Sequence, residues 1–390
     1  MILFLINFLK LDRERYSNMV NIPLLDLKAQ YSNLEKEIQK AIQKVFDSGQ
    51  YIMGPFVESF EEEFAEFCGT KHSVAVANGT DALLLILDAF DIGPEDEVIT
   101  SPFTFFATAE VISQKGAIPV FVDIDPNTYN LDVNQVEDKI TERTKAIIPV
   151  HIFGQPVDMD ELSLIADKYN LLIIEDACQA IGAKYNDKKV GSIGRAGAFS
   201  FFPTKNLGCY GDGGIVVTND DKLAETIKIL RFHGSNPKYY HSMIGRNSRL
   251  DAIQAAILSV KLKHIDSWNE KRNEKAKIYN QLLKNTPLIT PYHDINRTHV
   301  YHLYIIQSNY RDELMGYLKE RGISTGVYYP VPLHRQEVYK FLGYKDGSLP
   351  VAEKMSERTF AIPLYPELDY QQQIYISQQI GEFYKQRGEL

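Results

Sequence analysis

The feature that most constrains the fold is an alternation of strand-like and helical segments between residues 72 and 176. The strand-like segments are apolar runs such as "HSVAVAN", "AIPVFVDI" and "LLIIEDA", and segments such as "TDALLLILDAF" and "DMDELSLIADKYN" between them have helical spacing. Short apolar runs separated by helices are typical of a parallel sheet that is covered on both faces. We therefore predict a three-layer α/β fold with a mostly parallel sheet between helices.

A different pattern begins near Ala196. The segments "AGAFSFF" and "GGIVVTND" are strand-like and are joined by a glycine-rich loop, and a long helical stretch follows from about Leu250. The segment "TPLITPY" ends that stretch, and shorter strand-like and helical segments follow it. We predict an N-terminal extension over residues 1–21, a large domain over 22–285 and a small C-terminal α+β domain over 286–390.

Composition and charge exclude several classes of protein. Of the 390 residues, 44% are hydrophobic and 24% are charged, as in ordinary globular proteins. A net charge of -9 argues against a broad nucleic-acid surface. The three cysteines (Cys68, Cys178 and Cys209) lack metal-ligand spacing and favour a reducing compartment. The initial run "MILFLINFL" is shorter than a membrane span and has no signal-peptide features, so we predict a cytoplasmic protein without membrane association.

Polar residues follow two of the predicted strands, where ligands collect in open α/β sheets. In "ANGTDAL", Gly79 and Thr80 begin a helix and could bind a phosphate, although Thr80 or Asp81 could simply cap that helix. Asp176 ends the apolar strand "LLIIEDA", and a buried carboxylate needs a partner such as a cationic ring nitrogen. Gln179 could face the same side, and the alternative role for Asp176 is again a helix cap.

Lys205 lies between an apolar run and the glycine-rich loop in "SFFPTKNLGCYGDGG". It either ends a strand for solubility or lies in a desolvated site, where its amine can form an imine with a carbonyl. Ser200, on the preceding strand, could reach a phosphate, and the glycines of the loop let the backbone approach a ligand. The order of phosphate site, strand-end carboxylate, serine and lysine is the order that a pyridoxal phosphate site needs.

With these motifs the chain resembles the DegT/DnrJ/EryC1/StrS family of pyridoxal phosphate-dependent sugar aminotransferases. The resemblance runs from about Ile22 to Lys385. The motifs that carry it are "GPFVESFEEEFAEFCGTKHSVAVANGTDAL", "DEVITSPFTFFATAEVI", "IIPVHIFGQPVDMD", "IEDACQAIGAKY", "SFFPTKNLGCYGDGG" and "GRNSRLDAIQAAIL". It implies fold type I of the aspartate aminotransferase superfamily.

The resemblance also implies roles around pyridoxal phosphate. Lys205 matches the lysine that carries the cofactor as an internal aldimine, Asp176 matches the carboxylate on the pyridinium nitrogen, and Gln179 matches the residue beside the ring hydroxyl. Phe105 matches the aromatic residue that stacks on the ring; without the family, a core position would be the simpler explanation. The residues that match phosphate ligands are Gly79, Thr80 and Ser200.

Two further residues match positions that reach the neighbouring subunit of a homodimer, and two others are candidates for contact with the substrate. Asn247 matches an asparagine that reaches the neighbour's cofactor phosphate, and Arg249 matches an arginine near the nucleotide sugar across the dimer. The alternative for Arg249 is a surface cation at a helix start, where a positive charge is unfavourable. Tyr329 and His334, in "YYPVPLHRQ", are candidate substrate contacts, or else part of a packed loop of the small domain.

The implied activity is transfer of an amino group from an amino acid, with glutamate as the expected donor, to a nucleotide-linked keto-sugar. Dehydratase relatives have histidine where this chain has Lys205, so transamination is the prediction. The motifs "VHIFGQP" and "YYPVPLHRQ" favour amination at C3 over C4. The alternatives are a C4-specific enzyme, a keto-cyclitol aminotransferase and a non-catalytic regulator that binds the cofactor. Nothing in the sequence predicts a metal or a nucleic-acid partner.

Overall fold

The computed structural model of the chain describes residues 21–390, so nearly all of the predicted N-terminal extension lies outside the described residues. The strands are β1 His72–Val76, β2 Glu97–Thr100, β3 Ile118–Phe121, β4 Thr144–Ile148, β5 Leu172–Asp176, β6 Lys184–Tyr185, β7 Lys188–Lys189, β8 Ala196–Ser200, β9 Gly214–Thr218, β10 Tyr304–Gln307 and β11 Thr359–Ile362. The α-helices are α1 Leu27–Ser48, α2 Pro55–Cys68, α3 Gly79–Ala89, α4 Ala107–Gln114, α5 Met159–Tyr169, α6 Asp221–Leu230, α7 Ala252–Leu262, α8 Ile265–Leu282, α9 Arg311–Lys319, α10 Pro350–Arg358 and α11 Tyr370–Gln386.

A seven-stranded sheet in the order β1-β9-β8-β5-β4-β2-β3 forms the centre of the large domain. All pairs from β8 to β3 are parallel, and β9 runs antiparallel to both β8 and β1. The prediction of a mostly parallel α/β sheet is therefore confirmed. Because parallel strands end at one edge, the ends of β5 and β8 lie side by side, with Asp176 paired to Ala198.

Helices cover both faces of this sheet, as the apolar runs predicted. Successive side chains of a strand point to opposite faces. Val74 and Val76 of β1 accordingly pack in one core with α3 and α6, whereas Ala75 packs in the other core with α1, α2 and α7. Both sides of the sheet are therefore buried, which explains why its strands are apolar runs and not alternating segments.

The smaller C-terminal part has a separate core around the antiparallel pair β10 and β11. Helices α9 and α11 pack there, together with Tyr279 from α8 and Ile22 from the start of the described chain. Ile22 also forms a parallel bridge with Ile323. The boundary near residue 285 stays a prediction, since this core takes side chains from before it. In residues 21–390, no helix is long and apolar enough to cross a membrane.

Candidate active site

A cavity of about 1070 Å³ lies between the carboxyl ends of β5 and β8 on one side and the start of β10 and the end of β11 on the other. This cavity brings together most of the site residues that were predicted from the sequence. Those in its wall are Gly79, Thr80, Phe105, Asp176, Gln179, Ser200, Lys205 and Tyr329.

One end of the cavity is formed by the N-terminus of α3. Asn78 caps this helix, since its side chain accepts a hydrogen bond from the Asp81 amide at 2.8 Å. The sequence alternative, that Thr80 or Asp81 is the cap, is therefore wrong. The first amides of a helix have no acceptor within it, so those of Gly79 and Thr80 remain for an anion. A Cβ on Gly79 would lie only 2.7 Å from the Ser200 Cβ, so the helix start is pressed against the end of β8.

Asp176 is held rigidly at the end of β5. Its Oδ2 accepts a hydrogen bond from the Thr108 hydroxyl at 2.8 Å, and its Oδ1 accepts one from the Cys178 amide at 3.2 Å. The side chain is buried, and Asp176 forms no ion pair with any residue in the described range. A buried carboxylate without a cation is costly, so the site fits a ligand that presents a protonated nitrogen there.

Lys205 follows the end of β8 and is held by a turn in which its amide donates to the Phe202 carbonyl at 2.8 Å. Its ammonium makes no hydrogen bond or ion pair with a described residue. Burial lowers the pKa of Lys205 below its ordinary 10.5, more than the neighbouring Cys178 and Asp176 raise it. Lys205 is half-buried in the cavity wall and is not an exposed strand end, so its amine suits a covalent bond to a carbonyl.

Three further residues complete the wall around the position of a ring. Gln179 donates to the Tyr329 hydroxyl at 3.0 Å and accepts from the Phe153 amide at 3.1 Å. Phe105 is 58% exposed and lines the cavity, so the core position that its residue type suggested is excluded. An exposed aromatic face at the mouth of a cavity suits stacking on a ligand ring.

The structure does not bring Asn247, Arg249 or His334 to this cavity. Asn247 is exposed beside Phe232, and the Arg249 guanidinium lies over the Phe232 ring at 5.3 Å. His334 is 2% exposed and hydrogen-bonds to Glu353 at 3.1 Å, as in the packed-loop alternative. Burial lowers the pKa of its imidazole below the ordinary 6.5, although Glu353 raises it.

Comparison with known proteins identifies the family. The profile of the DegT/DnrJ/EryC1/StrS aminotransferase family matches residues 32–381. The chain belongs to this family. The predictions of the family, of the fold and of a pyridoxal phosphate-dependent aminotransferase are thereby confirmed.

Relatives and solved structures of the family span nearly the whole chain. A pleiotropic regulatory protein of Geobacillus stearothermophilus is 52% identical, covering 94% of this chain and 99% of the relative. The dTDP-3-amino-3,4,6-trideoxy-alpha-D-glucose transaminase of Streptomyces venezuelae is 44% identical over 93% of this chain and 96% of the relative. The crystal structure of S. venezuelae DesV in complex with a ketimine intermediate superposes with a TM-score of 0.92 at 44% identity, covering 94% of this chain and 99% of that one.

As a member of this family the chain must hold pyridoxal phosphate, and the geometry of the cavity fits that group. The free amides at the start of α3, next to Ser200, suit its phosphate, and the unpaired Asp176 carboxylate suits its ring nitrogen. The unpaired Lys205 amine suits its aldehyde. Each group lies in the wall of one cavity, so one ligand can reach all three.

Several wall residues were not predicted from the sequence. They are Asn78, Thr108, Cys178, Phe202 and His302. Asn78 directly precedes the predicted helix, so its cap position was a readable signal. Thr108 and His302 carried no such signal, because each reaches the site from a segment distant in the sequence.

Proposed function

We propose that this aminotransferase moves an amino group from an amino acid, with glutamate as the expected donor, to C3 of a nucleotide-linked keto-sugar. The observation that carries the proposal is the Lys205 amine, which shares a cavity wall with the Asp176 carboxylate and forms no hydrogen bond or ion pair with a described residue. The sugar class and the carbon position are supported by the S. venezuelae relative, whose name specifies a 3-amino sugar nucleotide.

Bound pyridoxal phosphate supplies an aldehyde that exchanges amino groups and a ring that accepts an electron pair. With the cofactor bound, the Lys205 amine would hold it covalently. The same amine, when free, would act as a general base and acid that moves a proton at the α-carbon of the amino acid. Burial lowers the pKa of this lysine, so a larger fraction of the amine is unprotonated near neutral pH than for a solvated lysine.

The other wall residues keep the cofactor oriented. Asp176, held by the Thr108 hydroxyl, would keep the proton on the ring nitrogen. Gln179 would hold the ring hydroxyl, and Tyr329, which accepts the Gln179 hydrogen bond, would contact the substrate. Phe105 would support the ring. Gly79, Thr80 and Ser200 would bind the phosphate.

We further propose a homodimer in which Asn247 and Arg249 complete the neighbour's active site. Their loop carries large apolar side chains that are almost fully open, including Tyr239 at 79% and Ile244 at 96% exposure. Exposed large apolar side chains on one loop are better covered by a protein partner than left in water. A second copy of the chain would bury it.

The covalent role of Lys205 is tested by reduction with borohydride and peptide mapping. The reduced cofactor should be found on Lys205 in the wild type and on no lysine in Lys205→Ala, which should also lose all turnover. Lys145→Ala, a change at an exposed position of β4, is the matched control and should behave as the wild type. Recovery of the cofactor on another lysine would contradict the role of Lys205.

The shared site is tested by mixing two inactive variants, Lys205→Ala and Arg249→Ala. In a mixed dimer one site receives both native residues, and random exchange makes about half of the dimers mixed. About a quarter of full activity should therefore return. If exchange is verified and nothing returns, Arg249 serves its own subunit.

A non-catalytic regulator is the second candidate, because the 52% identical relative is named a pleiotropic regulatory protein. Incubation of the cofactor-loaded protein with L-glutamate separates the two. An aminotransferase converts its cofactor to the pyridoxamine form and changes its absorbance, whereas a regulator without turnover does not.

UDP- and dTDP-linked 3-keto- and 4-keto-sugars, and a keto-cyclitol, then test the acceptor. A cytoplasmic location is supported by the three unpaired cysteines.

A further inference from the structure

His302 lies in the cavity wall and is not one of the residues proposed to hold the cofactor. It is 9% exposed, and its Nδ1 is buried without a hydrogen-bond partner. Its Nε2 likewise makes no hydrogen bond to a described residue. A buried polar side chain without partners in the wall of a ligand cavity needs an explanation, since such groups are normally satisfied.

The main chain holds His302 firmly against the cofactor site. Its amide donates to the Phe153 carbonyl at 2.9 Å, and the Phe153 amide donates in turn to the Gln179 side chain at 3.1 Å. Two residues earlier, the Val300 carbonyl accepts a hydrogen bond from the Asn206 side chain at 3.0 Å. His302 is thus tied both to Gln179 and to the residue that follows Lys205.

The surroundings of the ring determine which nitrogen carries a proton. Burial, with Lys205 and Arg272 as nearby cations, holds the pKa of His302 well below its ordinary 6.5, so the ring is neutral. A neutral imidazole has one donor and one acceptor. A proton on the buried Nδ1 would have no acceptor, and buried orphaned donors are rare. The proton therefore belongs on Nε2, the ring nitrogen that is not among the buried atoms without a partner.

Arg272 of α8 lies in the same wall and is 3% exposed. Its Nη1 donates to the carbonyls of Tyr301 and Leu364 at 3.0 and 2.9 Å, and its Nε has no partner. Burial lowers the pKa of Arg272 to about 10, more than the nearby Glu367 raises it, so the side chain stays charged at neutral pH. In the described part of the chain Arg272 forms no ion pair.

A neutral N–H donor and a buried cation in one wall call for an anionic oxygen. Hydrogen bonds to ionised acceptors are the strong ones, and the low dielectric of a buried site strengthens them. The small exposure of both side chains fits a carboxylate better than the bulky, doubly charged diphosphate of a nucleotide sugar, which must extend towards solvent. Leu25 and Leu364 form apolar parts of the same wall and suit the methylene groups of a small acid.

We propose that His302 and Arg272 form a carboxylate subsite for the amino-acid donor. The His302 Nε2–H donates to a carboxylate oxygen, and Arg272 supplies the opposite charge and braces the segment that carries His302. This inference rests on the proposed function in one respect, namely that the donor is an amino acid that enters this cavity.

Glutarate, a dicarboxylate without an amino group, probes the subsite without turnover. Its affinity for the cofactor-loaded protein is measured by calorimetry and by cofactor absorbance. His302→Phe removes the donor and should weaken glutarate binding about 10- to 100-fold, the usual effect of losing a hydrogen bond to a charged group. His302→Gln keeps an N–H donor and should recover part of the affinity. Arg272 is left unchanged, because its loss would disturb the main-chain carbonyls that it binds.

His299→Phe is the matched control. His299 is also a buried histidine of this segment, but its ring stacks on Tyr301 at 3.8 Å and lies outside the cavity wall. Its substitution should leave glutarate binding unchanged. Three results would each overturn the subsite: wild-type glutarate affinity in His302→Phe, equally weakened glutarate binding in His299→Phe, or no glutarate binding to the wild type.

The two half-reactions separate this inference from the proposed function. The expected result is a raised KM for L-glutamate in His302→Phe, with an unchanged KM for the keto-sugar. An effect on the sugar alone would assign His302 to the acceptor and overturn the inference. If the wild type binds glutarate through His302 but converts no amino acid, the subsite stands and the aminotransferase proposal fails. If the wild type converts glutamate and His302→Phe alters neither glutarate nor glutamate binding, the aminotransferase proposal stands and the subsite is wrong.

Discussion

Gly79→Ala tests whether the close contact between α3 and β8 builds the phosphate end of the site. A Cβ at this position would lie 2.7 Å from the Ser200 Cβ, 3.0 Å from the Cys178 Sγ and 3.3 Å from the Ser200 Cα. The first of these distances is too short for two carbon atoms, and Ser200 cannot retreat without moving β8. Overpacking of this kind costs about 1–3 kcal/mol. The relief available is a shift of the first turn of α3 away from Ser200.

That shift would separate the helix amides from the Ser200 hydroxyl, and a phosphate needs both. If the same 1–3 kcal/mol is lost from cofactor binding, the dissociation constant for pyridoxal phosphate rises by about 5- to 150-fold. Cofactor titration followed by absorbance measures this constant, and urea unfolding of the cofactor-free protein measures the free energy of unfolding.

Gly316→Ala in α9 and Gly381→Ala in α11 are the matched controls. A Cβ at either position would meet no atom within 4 Å. Replacing glycine by alanine inside a helix should stabilise the fold by about 0.5–1 kcal/mol and leave cofactor affinity unchanged. Wild-type stability and wild-type cofactor affinity in Gly79→Ala would refute the argument that this contact shapes the phosphate site.

Three other predictions rest on separate parts of the structure. Phe105→Ala should weaken cofactor binding about 2- to 10-fold, because aromatic stacking contributes about 0.5–1.5 kcal/mol. The free energy of unfolding of the cofactor-free protein should hardly change, since the ring is already 58% exposed. An equal loss of folding stability would count against the stacking role. Glu175→Gln should lower the free energy of unfolding by about 3 kcal/mol in urea titrations, because the buried carboxylate accepts from His151 at 2.9 Å and from three main-chain amides. The amide nitrogen of glutamine cannot accept a hydrogen bond, so an unchanged free energy of unfolding would contradict a stabilising role for these bonds. Burial lowers the pKa of Lys261 from 10.5 to about 8, so between these pH values the unfolded state binds one more proton than the folded state. The free energy of unfolding of the wild type should therefore rise relative to that of Lys261→Met by up to about 3 kcal/mol as pH increases from 8 to 10.5. A constant difference from about pH 7 to 10 would show that Lys261 is not desolvated.

The layered α/β fold was predictable because its strands are buried on both faces. Burial on both faces requires continuous apolar runs, and such runs are visible in a one-dimensional sequence. The antiparallel direction of β9 could not be predicted from the sequence, since a buried strand has the same composition in either direction. The strand pairing β1-β9-β8 therefore had to come from the structure.

The residues proposed to hold the cofactor could be chosen from the sequence because they lie near the end of a strand or the start of a helix. Lys205, Asp176 and Gly79 are neighbours in space for the same reason, namely that parallel strands end at one edge of the sheet. Thr108 was missed, although it holds the Asp176 carboxylate at 2.8 Å, because a threonine in a first helical turn usually only caps.

The sequence by itself determined the layered sheet and the family, because local patterns and short motifs encode them. It also predicted which residues carry the reactive groups. Only the tertiary structure showed that Asn78 caps α3, that the Phe105 side chain is exposed and that His334 is packed against Glu353. It alone brought His302 and Arg272 into one wall with Lys205. Burial and unpaired donors are properties of the surroundings that distant segments create, and no short stretch of the chain contains them.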